Sequence, residues 1–309
     1  MVDTLDPNID AYGRLADASA LADWCELHAA ANERTRESDL QDLLDDNGWT
    51  VRGDHLIHDS SGGEELDSRD SARSVFAVIE ERQRILGAAA YPFRVEGGTL
   101  RRGFEMHALA GTTYYGLLAI AVAHAWDLEA PVNPRDVFED TVARALQNWG
   151  FRAVNFGQIR RGGGGSFEQH VVRAGVSIDL SPTPERATRK LRAQDAGCDC
   201  IISFPWEDGR VDRWVAIGQV TCGESASWEK KLAEIPLGAW GEYLGLVRPP
   251  RGYLAVPHHI EQRHFTYLVE RDGRSIVDRL RLARRPFQLT ADEQAIAQHV
   301  ASFDVMELS

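Results

Sequence analysis

From Met106 to Trp126 the chain carries no Asp, Glu, Lys or Arg: MHALAGTTYYGLLAIAVAHAW. A stretch this long is sufficient to cross a bilayer. One that is apolar on every side has to be buried in something, whether protein or lipid. His107, Thr112, Thr113, His124 and two glycines lower its hydropathy. The expectation is therefore a buried core helix around which a domain is built, with no membrane partner; a membrane-tethered effector is the weaker alternative. The N-terminus, MVDTLDPNID, is acidic and has no apolar run, so no secretory leader is expected. Four cysteines in 309 residues exclude a disulfide framework and fit reduced thiols in a cytoplasmic protein.

The segments around this stretch read as mainly helical. ADASALADWCELHAAANER has helical spacing, SDLQDLLDDNGW is a short helix stopped by Gly48, and SARSVFAVIEERQRILGAAA is a third helix with Ser71 as its cap. His55–Asp70 reads as an exposed polar loop, and YPFRVEGGTLRR as a hairpin around Gly97-Gly98. DLEAPVNPR, with two prolines, marks a boundary. The division is a helical, acidic domain over 1–135 and a second domain over 136–309. Charge follows the same division. Residues 1–135 hold 24 acidic and 12 basic residues, whereas 136–309 hold 23 and 22. The first part, at net −12, is unsuited to a polyanion surface and suits a protein partner or self-association.

After residue 135 helices alternate with strands. RDVFEDTVARALQNWGF is a helix ended by Gly150, and RRGGGGS a flexible loop. VVRAGVSIDL, CDCIISFP, RWVAIGQVTC and GYLAVPHHI read as strands, with WEDGR as a turn. SWEKKLAEIPLGAW and SIVDRLRLARR read as helices. The fold class is α/β. In CDCIISF, alternation sets Asp199 on a face with Ile201 and Ser203, and Cys198 with Cys200 on the other. In WVAIGQVTC, Gln219 shares a face with Val215 and Ile217. An Asp entering so apolar a strand is costly unless it is hydrogen-bonded or binds a cation. Two of only three lysines in the chain, Lys230 and Lys231, follow in SWEKKL.

This layout resembles the PD-(D/E)XK nuclease superfamily, whose site is an Asp on one strand, an acid on the next and a Lys two positions later. DAGCDCII supplies Asp199. GQVTCG supplies Gln219 at the second position, and Thr221 stands where the commoner form has Lys. A variant branch carries Gln-x-x-x-Gly followed by Asn-Trp-x-x-Lys, and SASWEKKL is similar to it, which points to Lys231. The resemblance covers roughly residues 136–285. It implies a restriction-endonuclease-like mixed sheet flanked by helices, following the N-terminal helical domain. It also implies Mg²⁺- or Mn²⁺-dependent endonucleolytic cleavage of DNA, in a setting of prokaryotic defence. Asp199 would be the charged metal ligand, the Gln219 side chain a neutral one and the Val220 backbone carbonyl a third. Glu139, on the preceding helix, matches an acid that faces the metal. Lys231 would orient water or stabilise the phosphate. The alternative is a non-catalytic relative acting as a binding or regulatory subunit.

Other motifs have plainer readings. Cys198, Cys200 and Cys222 lack zinc-knuckle spacing and read as small buried residues. The GGGG run lacks the Lys-Ser/Thr of a P-loop. Asp195 reads as a turn former, and His258-His259 as satisfied turn histidines. Arg279, Arg281, Arg284 and Arg285 cannot share one helix face, so some must be solvated or pair with acids such as those of the first domain. No aromatic interleaving of the single-strand-binding kind is evident.

Overall fold

The protein is described by a computed structural model over residues 4–5, 7, 17–49, 51, 66–189, 191, 197–208, 210 and 213–305. Asp195, Lys190 and all but the end of the polar loop expected at 55–70 lie outside the described residues.

The chain enters through β1 (Thr4–Leu5), α1 (Asp17–Asn32), β2 (Arg34–Arg36) and α2 (Glu37–Asn47). Gly48 ends α2 as expected: at φ +62° it returns its N–H to the Asp45 and Leu44 carbonyls. The cap of α3 (Ser68–Leu86) is Asp67, whose carboxylate accepts from Asp70 N–H. Ser71, expected in that role, instead accepts the Val51 N–H at 3.0 Å. β3 (Phe93–Glu96) and β4 (Thr99–Arg102) form the expected hairpin, with Gly97 and Gly98 both at positive φ. β2 joins them in a three-stranded antiparallel sheet ordered β2-β4-β3.

The uncharged stretch is two helices, α4 (Met106–Leu109) and α5 (Thr113–Ala125), separated by Gly111 and by Thr112, which caps α5. Every α5 residue from Thr113 to Ala123 is buried. Among the described residues no helix is long and apolar enough to cross a membrane.

α6 (Pro134–Asn148) leads into β5 (Arg152–Asn155), a strand the sequence reading did not contain. α7 (Phe156–Gly162) and α8 (Phe167–Ser177) follow. α8 overturns the strand expected over VVRAGVS. A capping box between Ser166 and Gln169 starts the helix, and His170, Val171 and Ala174 form its buried stripe. β6 (Cys200–Ser203) and β7 (Val215–Val220) lie where expected. The helix expected over 227–240 is broken at Ile235-Pro236 into α9 (Trp228–Glu234) and α10 (Leu237–Tyr243). Then come β8 (Arg251–Ala255), α11 (Gln262–Asp272), β9 (Ser275–Val277), α12 (Arg279–Ala283), α13 (Ala291–Ala301) and β10 (Asp304–Val305). β9 takes the start of SIVDRLRLARR, so only its second half is helical.

The main sheet has the order β5-β6-β7-β8-β9, antiparallel across its first two junctions and parallel across the last two. One face packs Ile201 and Ile217 with Trp240 and Tyr243. On the other, Cys200, Val220 and Tyr253 join a cluster that also holds Phe76, Leu117, Phe138 and Ile296. That cluster runs across residue 135, where the sequence reading drew its boundary. Cys198 and Cys200, expected on one face, are separated between the two cores. Gly197, at φ +51°, turns the chain just before the strand begins.

A fully buried ionic cluster also crosses residue 135. Arg279 donates to both carboxylate oxygens of Asp23 at 2.6 Å. Arg82 reaches Asp23 at 2.7 Å and Glu26 at 3.0 Å. The Tyr91 and Tyr114 hydroxyls donate to Glu26 at 2.5 and 2.9 Å. His258 and His259 are buried beside it. His259 Nδ1 accepts from Arg82, and His258 Nε2 lies 3.0 Å from the Cys222 carbonyl. Of the two outcomes open to the C-terminal arginines, solvation or pairing with the acidic first segment, Arg279 takes the second.

Candidate active site

β6 and β7 run antiparallel with Cys200 opposite Gly218. Continued by one residue, this register sets Asp199 opposite Gln219. The Asp199 backbone is held on both sides: its N–H donates to the Gly218 carbonyl at 2.9 Å, and its carbonyl accepts from Phe156 N–H at 2.8 Å. Its carboxylate bends along the strand end and accepts the Val220 N–H through Oδ2 at 2.8 Å.

Here a cavity of about 850 Å³ opens, and Asp199, Val220, Glu139 and Lys231 all line it. Glu139 reaches it from α6. Gly157 leaves room for the Glu139 carboxylate, since an added Cβ would stand 2.5 Å from its Oε2. Asp140, next in sequence, turns away and accepts from Asn155 at 2.7 Å. Lys231 arrives from α9, which is pinned by Trp228. That indole is fully buried, donates to the Gly223 carbonyl at 2.8 Å and stacks against His258 and His264. Three residues after Trp228, about one helical turn, Lys231 faces the same direction and reaches the cavity. Lys230 is exposed and pairs with Glu234 at 3.7 Å. Thr221 lines the cavity but spends its Oγ1 on the Gly223 N–H at 3.0 Å.

Gln219 is placed differently. The backbone register sets it beside Asp199, yet its side chain is buried and is not among the residues lining the cavity. A Cβ added at Gly197 would stand 2.9 Å from its Nε2. Its Oε1 is shielded from solvent and has no hydrogen-bond partner among the described residues. Leaving such an acceptor unpaired costs about 1–3 kcal/mol.

Burial raises the Asp199 carboxyl above the ordinary range, although the Val220 N–H, Lys231, Arg160 and Arg161 pull it down. Burial also raises Glu139, and Asp199 adds like-charge repulsion, against the 2.8 Å ion pair from Arg161. Two carboxylates with raised pKa values beside one another in a cavity mark a functional candidate. Their donors are hard oxygens, which suit Mg²⁺ or Mn²⁺. Among the described residues no group of three or more His, Cys, Asp or Glu side chains is placed to hold a metal, so the donor set would have to include Val220 C=O, an amide oxygen or water. Burial raises the thiols of Cys198, Cys200 and Cys222, which fits their reading as inert core residues.

The sequence reading missed Arg161, His124 and Arg135. Arg161 sits in RRGGGGS, read there only as a flexible loop. His124 and Arg135 line the cavity from the end of α5 and the start of α6, with Arg135 Nε 3.4 Å from His124 Nε2. No protein family, curated protein or solved structure matches the chain.

Proposed function

We propose that the protein is a divalent-cation-dependent nuclease that hydrolyses DNA phosphodiester bonds. The observation that carries this reading is the meeting of Asp199, Glu139 and Lys231 in one cavity from three different elements. Supporting it are the strand order around that cavity and the variant-type lysine on the helix after the second strand. Asp199 and Glu139 would hold Mg²⁺ or Mn²⁺, with the Val220 carbonyl as a further oxygen. Such a cation, when bound, polarises a phosphate and makes water a better nucleophile. Lys231 supplies a mobile ammonium with three donors, suited to orienting that water or to neutralising charge on the phosphate. Arg161 keeps Glu139 aligned, and Arg135 adds positive charge at the cavity wall. On this reading the acidic first segment is a surface for a protein partner or a second copy, and defence against foreign DNA is the setting.

One observation favours the non-catalytic alternative: the Gln219 side chain does not line the cavity. The two readings separate in a plasmid-nicking assay with Mg²⁺ and Mn²⁺. The nuclease reading expects wild-type nicking that is abolished by EDTA and by Lys231→Met. If wild type never nicks but Gln219→Glu does, the chain is a degenerate relative. If Lys231→Met nicks at the wild-type rate, the proposed site is wrong.

A further inference from the structure

At the opposite end of the main sheet, about 16 Å away along β7 at ~3.3 Å per residue, lies a second cavity of about 950 Å³. Its size falls at the upper end of small-molecule sites. Arg213, Arg248, Arg251 and Arg274 line it, and no acidic residue does among the described residues. In a chain of net charge −13 this is a local reversal of sign. Arg274 Nη1 is shielded from solvent and has no hydrogen-bond partner among the described residues, while the same guanidinium's Nη2 donates to the Ile235 carbonyl at 3.4 Å. A shielded guanidinium N–H without an acceptor is costly, and the same side chain lines the cavity, where a charge-assisted bond to an anion would be among the stronger ones it can make.

The second half of the argument is aromatic. Trp214 lines the cavity with 66 % of its surface exposed. Its indole is braced edge-on by Trp206, at 5.2 Å between centroids, and by a tilted Phe204 ring at 6.0 Å. A rigid, exposed indole beside four guanidinium groups matches a ligand that is both anionic and flat. The sequence has no aromatic interleaving of the single-strand-binding kind, and these rings meet through the fold. Phe151, Phe204, Trp206 and Trp214 are scattered along the chain, and pairing of β5 with β6 and β6 with β7 gathers them.

We propose that this cavity binds a nucleoside phosphate, with the phosphate on Arg251 and Arg274 and the base stacked on Trp214. The proposal is independent of the nuclease reading. Two sources carry this chemistry, a free nucleotide and a nucleotide within a single strand.

The test is calorimetric titration of the full chain in EDTA, where no cleavage occurs, with ATP, tripolyphosphate and an eight-residue oligo(dT). ATP or the oligonucleotide should bind saturably. Arg251→Gln/Arg274→Gln should weaken that ligand and tripolyphosphate by at least about tenfold. Trp214→Ala should weaken the nucleotide ligand about tenfold and leave tripolyphosphate unchanged. If Arg274→Gln fails to fold, Arg248→Gln/Arg251→Gln, on two exposed residues, replaces it. Tighter binding of the oligonucleotide than of ATP assigns a strand segment, and equal or tighter ATP binding assigns a free nucleotide. Absence of saturable binding by both, or binding unchanged by the arginine pair or by Trp214→Ala, overturns the proposal.

Discussion

Two groups of charged side chains lie in this protein, and they are built on opposite principles. Asp23, Glu26, Arg82 and Arg279 are sealed at 0 % exposure, with two acids against two bases. Bidentate geometry and two tyrosine hydroxyls meet the carboxylates there. Asp199, Glu139 and Lys231 instead line a cavity. Both carboxyls are raised by burial, and the nearest arginine pairs with only one of them. The first group pairs its charges among its own members, although burial raises Glu26 there as well. The second leaves two carboxyls, both raised mainly by burial, lining a cavity, which marks it as a candidate functional site.

The largest effects should fall on different readouts in the two groups. Asp199→Asn is expected to lower cation-dependent nicking by about 10³-fold, the scale seen when a group stabilising transition-state charge is lost. Its urea midpoint should stay the same or rise, because a half-buried carboxylate under strain is removed. Asp23→Ala should do the reverse. It leaves two sealed guanidinium groups facing one carboxylate and should cost about 3–5 kcal/mol in urea denaturation. A cost under about 1 kcal/mol would show that the sealed cluster is not a closed unit.

A smaller effect concerns pH. Burial lowers His258 to about 4; Arg279 and His124 push in the same direction, while the Cys222 carbonyl and Asp23 oppose them. The unfolded chain takes up this proton near pH 6.5 and the folded chain does not until about pH 4. Stability from this group is therefore complete above pH 6.5 and lost as pH falls toward 4, by up to about 3 kcal/mol. His259 is lowered as well, so the two add. Urea melts of His258→Gln across that window should show a shallower slope than wild type, and an identical slope would remove His258 as a source.

What could be read from the sequence follows from how local each signal is. Gly48, Gly97-Gly98 and Gly150 punctuate the chain through their own backbone conformations, and each stop or turn falls where they stand. The Trp-x-x-Lys spacing sets Lys231 rather than Lys230 toward the cavity, because a helical turn is a local rule. Val171-Val172 and Val176 give α8 a strand-like pattern, and the Ser166–Gln169 capping box is what marks it as a helix. The sealed cluster has no local signature at all: residues 23, 26, 82 and 279 meet only once α1, α3 and α12 pack. Gln219 shows the limit of spacing arguments. Its register beside Asp199 follows from strand pairing, whereas its side-chain direction depends on the space that Gly197 leaves.

The smallest expected effect tests that last kind of dependence within the open group. Gly157 is the second residue of the seven-residue α7, where alanine is favoured over glycine by at most about 0.5–1 kcal/mol. A Cβ there would stand 2.5 Å from Glu139 Oε2, 3.2 Å from Asn155 Oδ1 and 3.3 Å from Arg161 Nη1. All three are ends of side chains, so the clash is relieved by moving them rather than the backbone. Gly157→Ala should therefore leave stability within about 1 kcal/mol of wild type, the helix gain offsetting the disturbed Glu139–Arg161 pair. The nicking rate should nonetheless fall by about tenfold, because the Glu139 carboxylate can no longer stand beside Asp199. Glu139→Gln, which removes the charge without the crowding, should fall at least as far. If Gly157→Ala keeps full activity while Glu139→Gln loses it, the carboxylate works from a position other than the one that Gly157 makes room for. If both keep full activity, Glu139 is a structural partner of Arg161, and the open group reduces to Asp199 and Lys231.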